Sequence, residues 1–331
     1  MNKVISFGEA LVDMLSNRID DQSGTTNEAF TKFPGGAPAN VAAAVGKLGG
    51  RSYFAGKVGQ DMFGDFMRTS LQQAGVNTDY LLSTTQAKTA LAFVSLDPTG
   101  ERSFEFYRAP SADLFFTAEE FKDDWFGEPG IFHFCSNTLT EPGIRAATQA
   151  GVEKAKAAGC IVSFDINLRP NLWPQQRDPF EPIWHCIVQA DLVKLCAEEL
   201  AFVCRGRSPQ TVVQQMLDGG VTLVLITDGG KPLRYHTAHG QGQLTPPPVT
   251  TVDSTAAGDA FVGGLLYTLA QQTRGASELA ALSADRQRLE TVLDFACRCG
   301  AHAVTHKGAF TSLPTQHDLC PSSRESHPGQ R

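Results

Sequence analysis

The chain has 331 residues, and 28 lysines and arginines against 35 aspartates and glutamates give it a formal net charge of −7. Such an acidic chain, without a block of basic residues, has little electrostatic attraction for nucleic acid or an anionic membrane surface, so we expect neither as a partner. The length predicts one large domain or two modest ones, and a hydrophobic share of 42% is enough to bury a full core.

The N-terminal residues and the cysteines predict a cytoplasmic protein. Glu9 and Asp13 interrupt the apolar run that a signal peptide would need, and no later stretch of the sequence approaches about 18 consecutive apolar residues. The eight cysteines form no C-x-x-C pair and mostly lie in apolar runs. This pattern is typical of reduced, structural thiols.

Short apolar runs rich in β-branched residues alternate with alanine-rich amphipathic stretches. The runs predict strands at residues 4–7, 131–136, 161–165, 192–196 and 223–227. The amphipathic stretches predict helices near residues 37–49, 62–74, 141–158, 197–204, 208–217, 257–271 and 285–303. This alternation is typical of an α/β fold in which helices flank an open, mainly parallel sheet, with ligands outside the carboxyl ends of its strands.

Two stretches depart from the alternation, at about residues 12–33 and 88–110. The second has the pattern of a hairpin around a turn at residues 97–100, with the sequence DPTG. Antiparallel strands inserted into an α/β core often form a lid over a site, so we expect a small β lid. Residues 315–331 are polar, and we expect them to form a C-terminal tail.

Small residues at 252–258, within the segment VDSTAAGDAF, lead into an apolar helical stretch. At a helix N-terminus, small residues leave backbone N–H groups free to bind a phosphate, and Asp259 would stand in the first turn. On this segment alone we favour a simpler interpretation, in which Ser254 or Thr255 caps the helix and Asp259 complements its dipole.

A second glycine turn, in the segment FPGGAPANVA, feeds another helix of small residues. Paired glycines let a ligand approach the backbone closely, and Asn40 in the first turns of the helix would direct its amide to the same place. Taken alone, a Gly-Gly pair before a helix usually indicates only a turn.

Together these two segments, GGAPANVAAAVGKLG and DSTAAGDAFVGGLL, resemble the two signature regions of the ribokinase-like (PfkB) carbohydrate kinases. The motifs GEALVDM, AGKVGQDMFGDFM, SFDINLRPNLW, VKLCAEEL, LITDGG and AVTHKGAF agree with that family, and several ordered motifs are far more specific than any single one. The resemblance covers about residues 3–314 and implies one kinase domain over residues 1–314 with a ribokinase-like fold. GEALVD, GGAPAN and FYR are most similar to bacterial fructokinases.

The resemblance implies transfer of the γ-phosphoryl group from MgATP to a sugar hydroxyl. It makes Asp259 the base that accepts the hydroxyl proton, and it assigns charge stabilisation in the transition state to the backbone N–H groups of Ala256, Ala257 and Gly258. The sequence has neither a G-x-x-x-x-G-K-[ST] nor a G-x-G-x-x-G spacing, so we do not expect a P-loop or dinucleotide enzyme.

For the sugar, the resemblance implies that the Asp13 carboxylate binds two hydroxyls. Asp259 would face the reacting hydroxyl. The further contacts that the resemblance implies are Gly35, Gly36, Asn40, Phe106, Arg108 and Arg169. Without the motifs, Asp13 would be interpreted as an exposed loop acid, and Arg169 would fit a surface salt bridge equally well.

For the nucleotide, the implied residues are Asn167, Arg169, Lys194, Cys196, Glu199, Thr227, Gly229 and Gly258. Glu199 would orient water molecules around Mg²⁺. Cys196 stands where the family commonly has asparagine, which weakens contact through that side chain. Pro232 replaces the final glycine of the family's T-x-G-x-x-G loop and removes one backbone donor.

The resemblance also implies a possible potassium site, formed by main-chain oxygens of two loops beside the anion hole. Its matching positions are Asp253, Thr255, Ala303, His306, Gly308 and Ser312.

Two further expectations concern the anion hole itself, which is the set of backbone N–H groups of Ala256, Ala257 and Gly258. Because a Cβ atom disfavours positive φ, we expect a negative φ at Ala256, and because Asp259 would lie near a helix N-terminus, we expect its pKa not to be high.

Three functions are open at this point. The first is a fructokinase that forms fructose 6-phosphate. The second is a kinase of the same fold for 2-keto-3-deoxygluconate, ribose or a nucleoside, since Arg108 and Arg169 could pair with the carboxylate of a sugar acid. The third is a non-catalytic sugar-binding protein, which the retention of Asp259, Gly258 and Glu199 disfavours. A protruding β lid often pairs across a two-fold axis, so we expect a homodimer through the lid.

Overall fold

The computed structural model describes residues 1–19, 27–96, 102–174 and 177–319. The strands are β1 (Lys3–Phe7), β2 (Leu11–Ser16), β3 (Phe30–Gly35), β4 (Arg51–Gly59), β5 (Leu81–Thr84), β6 (Ala90–Leu96), β7 (Arg102–Tyr107), β8 (Ile131–Cys135), β9 (Ile161–Asp165), β10 (Leu192–Cys196), β11 (Leu223–Thr227), β12 (Leu233–Thr237) and β13 (Gly240–Leu244). The helices are α1 (Ala37–Lys47), α2 (Met62–Gln73), α3 (Pro142–Ala157), α4 (Phe180–Ile187), α5 (Ala197–Cys204), α6 (Pro209–Asp218), α7 (Ala257–Gln272), α8 (Ala276–Ala284), α9 (Arg286–Ala303), α10 (Ala309–Ser312) and α11 (Gln316–Leu319).

Nine strands form the main sheet, in the order β13-β12-β11-β10-β9-β8-β1-β4-β5. The pairs from β11 to β5 are parallel, whereas β12 and β13 add an antiparallel hairpin at one edge. The buried runs β1, β8, β9 and β10 lie in the middle of the sheet because helices cover both of its faces. The predicted α/β fold with a mainly parallel sheet is confirmed.

The lid sheet has the strand order β3-β2-β6-β7. Strands β6 and β7 form the predicted antiparallel pair, while β2 pairs with β3 antiparallel and with β6 parallel. The turn predicted at residues 97–100 lies outside the described residues. The lid therefore combines two segments that are far apart in the chain, and β2 joins them.

Two apolar layers fix the main sheet between its helices. On one face the core includes an aromatic group of Phe7, Phe116, Phe121 and Phe132. On the other face α7 packs against the sheet between α1 and α9, and its apolar residues 260–270 are all buried. Because α7 is enclosed on all sides, its N-terminus is held in a fixed place at the carboxyl edge of the sheet.

The predicted helices occur within two residues of their expected bounds, but four further helices of the described residues were missed, namely α4, α8 and the four-residue helices α10 and α11. Helix α4 contains Pro182, which a sequence pattern reads as a break although proline is tolerated in a first turn. Helix α8 is short and begins after Gly275.

The start of the predicted C-terminal tail contacts the rest of the fold. Gln316, in that tail, donates a 2.8 Å hydrogen bond to Leu48 O. In the described part of the chain, we find no helix that is long and apolar enough to span a membrane.

Candidate active site

Two cavities open at the carboxyl edge of the main sheet, on either side of the N-terminus of α7. The first, the lid cavity, has a volume of about 610 Å³ and lies between the sheet and the lid. Its walls include the predicted residues Asp13, Gly36, Asn40, Phe106, Arg108, Asn167, Arg169, Thr255, Ala256 and Asp259. The second, the loop cavity, has a volume of about 440 Å³ and includes the predicted residues Thr227, Gly229, Ala257 and Gly258. Ser254 borders both cavities.

Ala256 begins α7 in the left-handed conformation, with φ 57° and ψ 12°. The expected negative φ is therefore wrong, because the chain must turn sharply from the loop into the buried helix. The capping part of the simpler interpretation is wrong as well, since no side chain caps α7, whereas Asp259 does lie in the first turn. Instead Thr255 Oγ1 donates to Asp253 Oδ1 at 2.7 Å. Of the three assigned donors, Ala257 N–H already contacts Ser254 O at 3.3 Å.

Asp259 lies in the first turn of α7, at the floor of the lid cavity, with only 8% of its surface exposed. Its Oδ2 accepts a 2.8 Å hydrogen bond from Asn40 Nδ2, which joins the two signature segments directly. Burial raises the pKa of Asp259, while Asn40, Lys194 and Arg169 oppose the rise. The expectation that the pKa is not high is therefore wrong, because removal from water outweighs the nearby positive charges.

Asp13 enters the same cavity from the lid, on strand β2. Burial and the charge of Asp259 raise the pKa of Asp13 to about 7. Gly35 on the paired strand β3 does not line the cavity, but a Cβ atom there would lie 2.2 Å from Asp13 Oδ2. The glycine thus makes room for the carboxylate. Gly36 has φ +99°, and a Cβ atom there would lie 2.5 Å from Glu9 O.

Arg108 lies one residue past the end of β7, in the buried wall of the lid cavity. Its Nε donates to Asp113 Oδ2 at 2.8 Å, and its Nη2 lies 2.6 Å from the same oxygen. Nη2 also donates to Asn137 O at 2.9 Å. Phe106, two residues earlier on strand β7, is half-buried at the cavity wall as expected.

The residues assigned to the nucleotide fall into separate places. Asn167 and the exposed Arg169 line the lid cavity, so they face the sugar side of the α7 N-terminus. Lys194 is buried and forms a 3.1 Å ion pair with Asp165, which keeps the pKa of Lys194 high in spite of its burial. A Cβ atom on Gly258 would lie 3.3 Å from Lys194 Nζ, so the ammonium group lies beside the first turn of α7.

Glu199 ties two loops together behind the α7 N-terminus. Its Oε1 accepts from Leu168 N at 2.8 Å, and its Oε2 accepts from Cys196 N at 2.7 Å. Cys196 is the N-cap of α5 and completes a capping box with Glu199. Lys194, Cys196 and Glu199 line neither cavity, so the structure places them behind the site rather than in its walls.

The two loops assigned to potassium meet at the carboxylate of Asp253. One oxygen accepts from Thr255 N at 3.0 Å, and the other accepts from Gly308 N at 3.1 Å. The carbonyl of Ala303 accepts from His306 N at 3.2 Å. The segments at residues 253–255 and 303–312 are therefore adjacent, although that carbonyl already has a donor.

Sequence reasoning missed several residues of the lid cavity, among them Glu9, Asn137 and Asn171. Glu9 follows β1 and Asn137 follows β8, and these strands are neighbours in the sheet. Asn137 Nδ2 donates to Glu9 Oε1 at 2.9 Å. Glu9 was noted only as a break in an apolar run, although its place just after a buried strand was a usable signal, since carboxyl ends of parallel strands meet at one edge.

Comparison with known proteins identifies the family. Residues 1–316 match the pfkB family carbohydrate kinase domain. This chain belongs to that family. It is 40% identical over 319 residues to "Probable fructokinase-5" of Arabidopsis thaliana, a match that covers 95% of each protein.

Two solved structures of family members agree in fold and length. A fructokinase from Xylella fastidiosa with bound ATP is 46% identical, with a TM-score of 0.91 over 96% of this chain and 97% of that one. A double-mutant fructokinase from Vibrio cholerae O395, in a form with fructose, ADP and a potassium ion bound, is 36% identical, with a TM-score of 0.84 over 96% and 97% of the two chains. The ribokinase-like fold predicted for this family member is therefore confirmed.

Proposed function

We propose that this family member is an ATP-dependent fructokinase, which transfers the γ-phosphoryl group of ATP to D-fructose and forms fructose 6-phosphate and ADP. The observation that carries the proposal is the buried Asp259–Asn40 contact in the lid cavity, next in the chain to Gly258, which lines the loop cavity. In this proposal the Asp259 carboxylate lies where a sugar in the lid cavity would meet a phosphoryl group at the N-terminus of α7. The similarity to fructokinases over nearly the whole chain supports fructose as the sugar.

In this mechanism the residues of the chain bind and orient the sugar and remove the proton from its reacting hydroxyl. Asp13 binds sugar hydroxyls from the lid, and Asn40 holds the Asp259 carboxylate towards the reacting hydroxyl. Asp259 accepts the hydroxyl proton as the bond to phosphorus forms. The α7 N-terminus and the Lys194 ammonium group beside it stabilise negative charge on the transferring group. The raised pKa of Asp259 makes its carboxylate a stronger base, which favours proton transfer.

We assign ATP to the loop cavity, and we assign Glu199, which lines neither cavity, to the Mg²⁺ that would be bound with the nucleotide. Bound Mg²⁺ would supply charge neutralisation on the phosphate oxygens. Glu199 carries acceptor oxygens and holds the loops after β9 and β10 in place, so it is the residue we assign to the Mg²⁺ water shell. The loop cavity, with Thr227 and Gly229 on one wall and Gly258 on another, has room for a nucleotide.

Potassium is a further proposal, supported by the Asp253 bridge between the segments at residues 253–255 and 303–312. The Vibrio cholerae structure has a potassium ion bound, and its similarity to this chain favours such an ion here. A cytoplasmic location stays a prediction from the sequence.

A homodimer through the lid is also proposed. The lid face opposite the cavity carries a row of aromatic rings, Phe30, Phe93 and Tyr107, with ring centroids 5.2 Å apart in each neighbouring pair. Phe30 is 38% exposed and Tyr107 is 57% exposed. A second copy of this lid would cover these rings and the edge strands β3 and β7.

The test of substrate is an ADP-release assay over a panel of sugars, with phosphorus NMR of the product. We expect fructose to give the highest kcat/KM, and the phosphorus signal to report a phosphate on the 6-hydroxyl. A tenfold preference for 2-keto-3-deoxygluconate would replace the fructose assignment and leave the kinase activity in place. Asp218→Asn, at an exposed residue remote from both cavities, serves as the control for effects of expression and purification on the measured activity.

A further inference from the structure

Arg108 is the buried positive charge of the lid cavity, with only 5% of its surface exposed. Such a group beside a sugar site is the natural partner for an anionic substrate, because a guanidinium group offers two parallel donors to a carboxylate. The charge of this guanidinium group, however, already has a partner within the protein.

That partner is the carboxylate of Asp113, which forms an ion pair with Arg108. It lies in a short 3-10 turn, Ala112–Phe115, and is itself buried. Its Oδ2 accepts from Arg108 Nε at 2.8 Å and lies 2.6 Å from Nη2. Ser111 Oγ donates to the other oxygen, Oδ1, and fixes the carboxylate in this orientation. The pair is therefore preorganised and neutral as a unit.

The groups around this pair add no positive charge. Nη2 donates its further bond to the carbonyl of Asn137, and the Asn137 side chain holds the carboxyl group of Glu9. Glu9 Oε2 and Asn137 Oδ1 are both buried without a hydrogen-bond partner among the described residues. Asp13 and Asp259 face the same cavity. A carboxylate on a substrate would thus approach several acceptor oxygens, while Arg108, the buried cation of the cavity wall, is already paired with Asp113.

We propose that Asp113 is a specificity-determining residue, which occupies Arg108 and thereby makes the lid cavity select an uncharged sugar over a sugar acid. This inference rests on the proposed function, since it assumes that the lid cavity holds the acceptor sugar. Asp113 acts through Arg108 and need not touch the sugar itself. A sugar acid would lose the hydration of its carboxylate and gain no free buried cation in return, since the other arginine of the cavity, Arg169, is exposed to water.

The decisive experiment is Asp113→Asn, which keeps the side-chain shape and removes its negative charge. We expect the ratio of kcat/KM for 2-keto-3-deoxygluconate to that for fructose to rise at least tenfold, which is about 1.4 kcal/mol. The change should lie mainly in KM for the acid, because the Arg108 guanidinium group would then be free to bind its carboxylate. Asp113→Glu, which restores the charge, should keep the fructose preference.

Asp218→Asn is the matched control, since it removes the same charge from the exposed end of α6. A general loss of folding would lower turnover of both acceptors and would not raise the ratio. An unchanged ratio in a folded Asp113→Asn enzyme that still phosphorylates fructose overturns this inference alone. Failure of the wild type to phosphorylate fructose overturns the proposed function instead.

The wild-type chain gives a second test that does not depend on the folding of a variant. We expect 2-keto-3-deoxygluconate to be a weak competitive inhibitor with respect to fructose. Its inhibition constant should be at least tenfold larger than the KM for fructose. Equal binding of the two, within about threefold, would show that Asp113 does not shield Arg108 and would end the proposal.

Discussion

At the scale of single residues, Asp259 is the position where sequence and structure together make the most specific claim. Its carboxylate is buried and held by Asn40 at 2.8 Å, and burial raises its pKa. A helix-dipole acid without a chemical role would need neither the contact nor the cavity. The two interpretations predict different consequences for one substitution.

For Asp259→Asn we expect kcat with fructose and MgATP to fall by about 10²–10⁴, because the shape remains while the base is lost. Fructose binding should largely persist. The wild-type rate should also fall on the acid side at a higher pH than an ordinary aspartate would give, since the raised pKa lets the carboxylate accept a proton sooner. Steady-state kinetics against pH measures both effects, and a variant kcat above about a tenth of wild type would contradict the role as base.

Ala256 carries a strained backbone at the entrance of α7, with φ 57°. A residue with a Cβ atom pays about 1 kcal/mol or more for this conformation, and glycine does not. We therefore expect Ala256→Gly to raise the free energy of unfolding by about 1 kcal/mol and to leave kcat within a few-fold. The sign is opposite to that expected for an ordinary helical alanine.

Ala201→Gly provides the comparison, because Ala201 is an exposed residue inside α5. Glycine there should lower the free energy of unfolding by about 1 kcal/mol. Denaturant unfolding of both variants measures the two signs. A loss of stability at Ala256 would mean that its left-handed conformation is not strained.

At the scale of elements, the lid sheet has two faces, and we assign the sugar site to one of them and the dimer contact to the other. One face carries Asp13 on β2 and Phe106 on β7, which the register aligns through β6. The opposite face carries the aromatic row. Alternation of side chains along a strand lets the four strands serve two purposes at once.

Phe30→Lys tests the lid dimer. A charge in the exposed aromatic row should weaken the contact between two lids, so sedimentation equilibrium should show a shift from dimer towards monomer. Val249→Lys, at another exposed apolar residue outside the lid, should leave the mass unchanged. A wild type that sediments as a monomer at all concentrations would contradict the dimer proposal.

At the scale of the whole molecule, the sheet order brings the two signature segments together. Residues 35–40 and 254–259 are more than 200 positions apart, yet α1 and α7 pack against each other on one face of the sheet. Their N-termini both open at the carboxyl edge, which is where ligands bind in sheets of this kind. The Asp253 bridge and the Glu199 bridge fix the loops around that point.

The sequence by itself determined the alternation of strands and helices, the lid segments and the family, because apolar periodicity and turn residues are local properties. Ordered motifs such as GGAPAN and AAGDAF then located the residues at both ends of the site. Local patterns could not give the parallel pairing of β2 with β6, since strands so far apart in the chain pair only when the whole sheet forms.

Only the tertiary structure decided the state of the charged and strained residues. Burial raised the pKa of Asp259, the sharp entry into α7 turned Ala256 to positive φ, and Asp113 occupied Arg108. Each outcome depends on atoms from elements distant in sequence, which set the local exclusion of water and the available partners. Because electrostatic energies and backbone strain are set by these surroundings, the residue types alone do not contain them.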